Sequence, residues 1–100
     1  MKRLTRPTSR VLAVLLGAPG EWRYGYDLMK TAELSSGTLY PLLARLTDDG
    51  WLDSRWEESS FPGKPPRQLY RLTATGRLQA REVMERGRAT WLPRMRTGEI

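Results

Sequence analysis

The chain has 100 residues, enough for one small domain with a single core, and 39% of them are hydrophobic. It contains neither cysteine nor histidine, which excludes disulfides and thiolate metal sites and removes the usual general base. With 17 Lys and Arg against 11 Asp and Glu, its net charge of +6 favours a polyanionic partner, nucleic acid ahead of an acidic membrane surface.

Met1 to Pro7 is a basic arm, expected to fray. From about Thr8 a helix runs to Gly17, with Val11, Leu12, Leu15 and Leu16 on one broad apolar face. The longest apolar run, Val11 to Leu16, is far too short to span a bilayer, and no signal-peptide core follows the basic start. A cytoplasmic protein without membrane association is therefore expected. Gly17-Ala18-Pro19-Gly20 stops the helix, and Glu21 to Tyr24 follows as a short extended piece. Gly25-Tyr26 opens a second helix to about Glu33, with Leu28, Met29 and Ala32 turned inward.

A tight turn then leads into a third helix over about 36–49. Leu39, Leu42, Leu43 and Leu46 fall at i, i+3, i+4 and i+7 and form one apolar stripe. Ser35 or Ser36 can cap its first turn, and Gly50 supplies a left-handed stop. Pro41 is comfortable only in a first turn, so the regular helix is expected to begin close to Thr38. Its opposite face carries Thr38, Tyr40, Pro41, Ala44 and Arg45, which are small, hydroxylated or basic. Two helices joined by a tight turn, the second with a polar outer face, make a helix-turn-helix.

Trp51 to Trp56 alternates as a strand, with Leu52 and Trp56 on one side and Asp53 and Arg55 on the other. Pro62-Gly63 fits the centre of a type II turn, with Lys64 at its exit, and Arg67 to Leu72 is the returning strand. This two-stranded hairpin over 51–72 has a proline-rich, cationic tip and reads as a wing. Trp51 and Trp56 are expected to pack it against the helices, with Trp22 doing the same beside the first helix. Thr73 caps a last helix over 73–92, ended by Pro93 and followed by a flexible tail over 93–100. Ala80, Met84, Gly87 and Trp91 are spaced by four, three and four, a narrow stripe of the kind that pairs helices, and Val83 widens it.

The expected fold is therefore mainly α with a small two-stranded β wing: a winged helix-turn-helix over 1–72 plus a C-terminal dimerisation helix. Tyr24-Gly25-Tyr26-Asp27-Leu28, the block Gly37-Thr38-Leu39-Tyr40-Pro41-Leu42-Leu43-Ala44-Arg45-Leu46, and Gly50-Trp51-Leu52 also resemble the PadR family of transcriptional regulators. Leu69-Tyr70-Arg71-Leu72-Thr73 followed by Gly76 resembles that family's junction between wing and last helix, and the likeness covers roughly Val11 to Arg81. The resemblance implies a dimeric transcription factor, usually a repressor, often released by a small molecule. This chain's last helix is at the short end for the family.

On that reading Ser36, Gly37, Thr38, Tyr40 and Pro41 front the recognition helix and face the major groove of double-stranded DNA. Arg45, one turn on, is the candidate for a guanine contact or a phosphate clamp, the phosphate favoured because base contacts usually come from a recognition helix's N-terminal end. Gly25 and Tyr26 open the supporting helix, whose N-terminus can present N–H groups to a phosphate. Lys64 and Arg67 on the wing follow the adjacent backbone or minor groove. Ala80, Val83, Met84, Gly87 and Trp91 are expected to form the homodimer interface. At Trp91 both plain dimer packing and the stacking of a small aromatic ligand are open. No enzymatic machinery, cofactor or metal site is expected. The alternative function is a winged-helix adaptor that presents the same helix to a protein. Salt-sensitive affinity for duplex DNA separates the two.

Overall fold

The computed structural model describes residues 4–99, with side chains through residue 87. Thr5 opens the first helix, α1 (Arg6–Gly17): its hydroxyl accepts from the Thr8 N–H at 3.3 Å. Pro7 lies in the first turn, where a missing N–H has no helical partner to lose. The arm is thus shorter than expected, since Arg6 and Pro7 are helical and Met1, Lys2 and Arg3 lie outside the described residues. Val11, Leu12 and Leu15 are buried against the rest of the core.

β1 (Arg23–Tyr24) passes directly into α2 (Gly25–Ala32). Arg10 of α1 donates from Nη1 to the carbonyls of Ala32 and Glu33, at 3.4 and 3.3 Å, and so satisfies a helix end that otherwise lacks donors. Glu33, Leu34 and Ser35 then form the turn into α3 (Ser36–Asp48). Ser35 is the cap, its hydroxyl accepting from the Thr38 N–H at 3.3 Å. The helix therefore begins at Ser36 rather than near Thr38, and Pro41 falls inside it, unable to donate to the Gly37 carbonyl. The capped first turn holds this earlier start: the N–H groups of Thr38 and Leu39 both bond the Ser35 carbonyl, at 3.1 and 2.9 Å.

Leu39, Leu42, Leu43 and Leu46 are buried together, as their spacing predicts. Gly50 ends the helix in the left-handed conformation, with φ 81°. Its N–H bonds the Thr47 carbonyl at 3.0 Å, and the Trp51 N–H bonds that of Leu46 at 2.9 Å. This double closure turns the chain sharply towards the sheet.

β2 (Leu52–Glu57) and β3 (Arg67–Leu72) pair antiparallel, from Leu52 opposite Leu72 to Glu57 opposite Arg67. The Pro62-Gly63 turn is of type II as read, with Gly63 at φ 84° and the Lys64 N–H bonding the Phe61 carbonyl at 3.3 Å. The sheet has three strands rather than two, in the order β1-β3-β2, with Arg23 opposite Tyr70 and Tyr24 opposite Leu69. Two residues are too few to show an alternating pattern in sequence, yet they pair the open edge of β3.

Trp51 is buried as expected, but two other tryptophans depart from the expectation. Trp56 shares the strand face of Leu52 but lies four residues further along the strand, where the helices leave it 65% exposed. Trp22 is partly buried on the sheet, its ring between the guanidinium groups of Arg55 and Arg71, each 4.5 Å from it.

Thr73 caps α4 (Ala74–Glu99), accepting from the Gly76 N–H at 2.8 Å while donating to the Gly50 carbonyl at 2.7 Å. The helix is assigned beyond Pro93, where the sequence reading ended it and began a tail; a proline removes one helical bond without leaving helical φ. Its first turns press on the domain itself. Ala80 is fully buried in the chain's own core, so it is not an interface residue, and Val83 and Met84 pack against the same core. Gly87 faces Leu4, whose Cδ2 would stand 3.5 Å from an added Cβ. The side chain of Trp91 lies outside the described residues.

Gly76 is fixed by space. A Cβ there would lie 1.9 Å from the carbonyl oxygen of Trp51, against backbone that cannot yield. Helix propensity alone makes Gly→Ala favourable by about 1 kcal/mol in a helix interior. Gly76→Ala is expected to do the reverse and destabilise by about 1–3 kcal/mol, as overpacking does. The midpoint of a urea denaturation curve checks the sign.

Candidate nucleic-acid interface

With its leucine stripe buried, α3 turns Ser36, Gly37, Thr38, Tyr40, Pro41, Ala44 and Arg45 to the exterior. The Thr38 hydroxyl accepts from Ser35 Oγ at 3.2 Å and keeps its own proton to donate. The sequence reading gave Gly25 a role through the backbone N–H groups of its helix start, and the structure adds a packing role. Gly25 is buried, and an added Cβ would meet the Tyr40 hydroxyl at 2.8 Å and its ring at 2.9 Å. The absence of a side chain at Gly25 seats the Tyr40 ring over the start of α2. Tyr26, next to it, is 58% exposed, with Lys30 Nζ 5.4 Å from its ring.

The wing supplies the remaining cations. Lys64 and Arg67 are both exposed. Lys64 Nζ stands 5.9 Å from the Phe61 ring at the wing tip. At the wing root, the Arg67 guanidinium lies 4.4 Å from the Tyr24 ring, a cation–π distance that restrains a long side chain. The Tyr24 hydroxyl in turn donates to Glu57 Oε1 at 2.5 Å, tying β1 to β2 across the intervening strand. That bond, then burial and the nearby Glu57 charge, push the Tyr24 phenol above its ordinary value, with Arg67 acting in the opposite sense. Burial, and secondarily Tyr40, raise the Tyr70 phenol as well.

Two clefts separate α3 from the sheet. One, of about 320 Å³, is lined by Tyr40, Ala44, Thr47, Ser54 and Tyr70. The other, of about 250 Å³, lies between the wing root and the starts of α2 and α3, against Tyr26, Tyr40, Trp56, Pro66 and Arg67. Sequence reasoning missed Lys30 and Trp56 as surface features beside the helix. The four-residue spacing of Tyr26 and Lys30 on one helix could have exposed the first. Alternation grouped Trp56 with buried Leu52, and nothing in the sequence shows where helical cover ends.

A polar-faced helix capped by Ser35, beside a cationic wing, is matched by a family model: that of the PadR-like transcriptional regulators, over residues 11–82. The chain belongs to this family. A PadR-like transcription factor from Bacteroides fragilis is 33% identical, with a TM-score of 0.65 over 94% of this chain and 90% of that one. PadR of Bacillus subtilis, solved with operator DNA, shares the fold at 21% identity and a TM-score of 0.63, over 76% of this chain and 45% of that one. NadR, solved with 4-hydroxyphenylacetate, shares it at 23% identity and a TM-score of 0.62, over 81% of this chain and 53% of that one. No curated protein matches the chain. Among the described residues, no helix is long and apolar enough to cross a membrane.

The Tyr24–Glu57 bond makes an optical prediction for this PadR-like domain. A phenol raised in the fold contributes stability that is present below its unfolded value, about 10, and lost as pH rises through its folded value. Glu57→Ala should return Tyr24 towards about 10 and leave Tyr70 in place. An alkaline ultraviolet titration of wild type and variant should therefore differ by one tyrosine that ionises earlier.

Proposed function

We propose that the protein is a sequence-specific, double-stranded DNA-binding regulator that acts as a dimer on a two-fold operator, most simply as a repressor. The observation that carries this reading is the exposed front of α3, Ser36 to Pro41, set between the cationic wing and the aromatic start of α2. Ser36, Thr38 and Tyr40 offer hydroxyls to base edges, and Gly37 lets the backbone come close. Arg45 clamps a phosphate one turn further along, Tyr26 and Lys30 meet the backbone beside α2, and Lys64 and Arg67 take the backbone on the wing side. The solved complex of Bacillus subtilis PadR with operator DNA supports this use of the fold.

The second subunit pairs through the far part of α4, around Gly87 and Trp91, since Ala80 is spent on the chain's own core. Release by a small aromatic effector at Trp91 accords with the ligand of NadR. Such an effector acts only by the difference in its affinity for the two states.

Two measurements test the reading. Duplexes selected from a random pool should show two-fold related half-sites about 10 base pairs apart, bound by a dimer in sedimentation. A single asymmetric half-site bound by one chain would remove the dimer. Lys64→Ala should weaken binding to every duplex and reduce the log–log salt slope by about 0.9. Thr38→Ala should spare mixed-sequence duplex and weaken the selected operator about tenfold, the loss of one good base contact. Affinity for duplex DNA that ignores salt would turn the assignment to the protein adaptor.

A further inference from the structure

Trp56 has no structural reason to be where it is. It is 65% exposed on a strand whose other end, Leu52, is buried, and an indole left in water forgoes the gain of burial. Among the described residues Tyr26, Tyr40, Trp56 and Phe61 are the exposed aromatics, and the first three surround one cleft with Pro66, Arg67 and Gln68. That cleft lies between the two elements already assigned to DNA, the front of α3 and the wing. At about 250 Å³ it falls below the roughly 300–1,000 Å³ of small-molecule pockets.

The geometry points to Trp56 as a DNA-contacting residue that packs on a deoxyribose of the backbone strand crossing this cleft, while Arg67 takes the adjoining phosphate. The inference rests on the DNA-binding reading above and specifies how the region between helix and wing is filled. The chemistry of the lining fits a sugar–phosphate unit. Trp56 and Pro66 offer apolar faces to the sugar, while the Arg67 guanidinium, the Gln68 amide and the Tyr26 hydroxyl offer donors to the anion. The lining contains the Arg67 cation, and the carboxylate beside it, Glu57, is engaged by the Tyr24 hydroxyl. Arg67 is already steadied over the Tyr24 ring, so little side-chain freedom is lost when a phosphate arrives. Trp56, by contrast, contributes through area removed from water, a contribution that releases no counterions.

That difference gives the test. The full chain and its Trp56→Ala, Trp56→Phe and Lys64→Ala variants are titrated against a labelled mixed-sequence duplex over a salt series. Trp56→Ala should bind about tenfold more weakly at every salt concentration, with the wild-type slope, because burial of a large side chain is lost and no charge is. Trp56→Phe should recover most of the affinity. Lys64→Ala should flatten the slope. Because the indole is exposed, urea midpoints of the Trp56 variants should match wild type. DNA should also change an indole emission component that is missing from Trp56→Phe. Wild-type affinity in Trp56→Ala would overturn the proposal, as would a weakening that comes with a flattened slope or a lowered midpoint. Quenching of that emission by a single-ring aromatic acid, with DNA affinity untouched in Trp56→Ala, would assign the cleft to a ligand instead. Absence of duplex binding by the wild-type chain would remove the DNA reading itself, a result distinct from failure of the Trp56 contact alone.

Discussion

The carbonyl of Trp51 is the point on which the arrangement of the domain turns. It accepts from the Thr73 N–H at 3.0 Å, and it sits where any side chain at position 76 would have to be. Trp51 itself follows the glycine that stops α3, and Thr73 follows the last residue of β3. One peptide group therefore joins the end of α3, both long strands and the start of α4. A side chain at position 76 would push the start of α4 away from the end of α3 and the root of the wing. The proposed DNA-binding surface requires a fixed bearing of the wing on α3, since displacement of the wing relative to the helix would misplace the proposed phosphate contacts together.

A second constraint acts at the other side of the same surface. Tyr40 lies over Gly25, so the front of α3 and the start of α2 share one contact that only a residue without a side chain permits. From Gly25 the chain runs back into β1, where Tyr24 is hydrogen-bonded to Glu57 and carries Arg67 on its ring. Helix, sheet edge and wing root are thus linked through tyrosines rather than through ion pairs. The ion pair between Arg71 and Asp53, 3.7 Å apart and partly exposed, adds little by comparison. Hydrogen bonds and ring contacts are also less sensitive to salt than surface charge pairs, so this framework should persist under conditions that weaken the proposed phosphate contacts.

The charges are divided in a way that suits the proposed role. Arg55 and Arg71 are engaged by Trp22 on the sheet, and Arg10 is engaged by the end of α2, so these cations serve the fold. Lys64 on the wing and Arg45 on α3 remain exposed. The ring and carbonyl contacts fix the positions of the three guanidinium groups without neutralising them, and the exposed aromatics between helix and wing add apolar surface beside the charge.

Much of this was determined by the sequence alone, wherever a local pattern is enforced by local physics. The leucine stripe of α3 buried as spaced because helical periodicity places those four side chains on one side whatever surrounds them. Pro62-Gly63 made its turn, Gly50 its stop and Thr73 its cap because each depends on backbone geometry within a few residues. What only the tertiary structure decided involves contacts between residues distant in the chain. The pairing of β1 with β3, the burial of Ala80 in the domain's own core and the seating of Tyr40 on Gly25 join segments whose meeting no single window of sequence records. Trp56 shows the limit most plainly: alternation assigned its strand face correctly, but whether that face is covered depends on how far the helices extend beneath the wing, a length set by packing rather than by period.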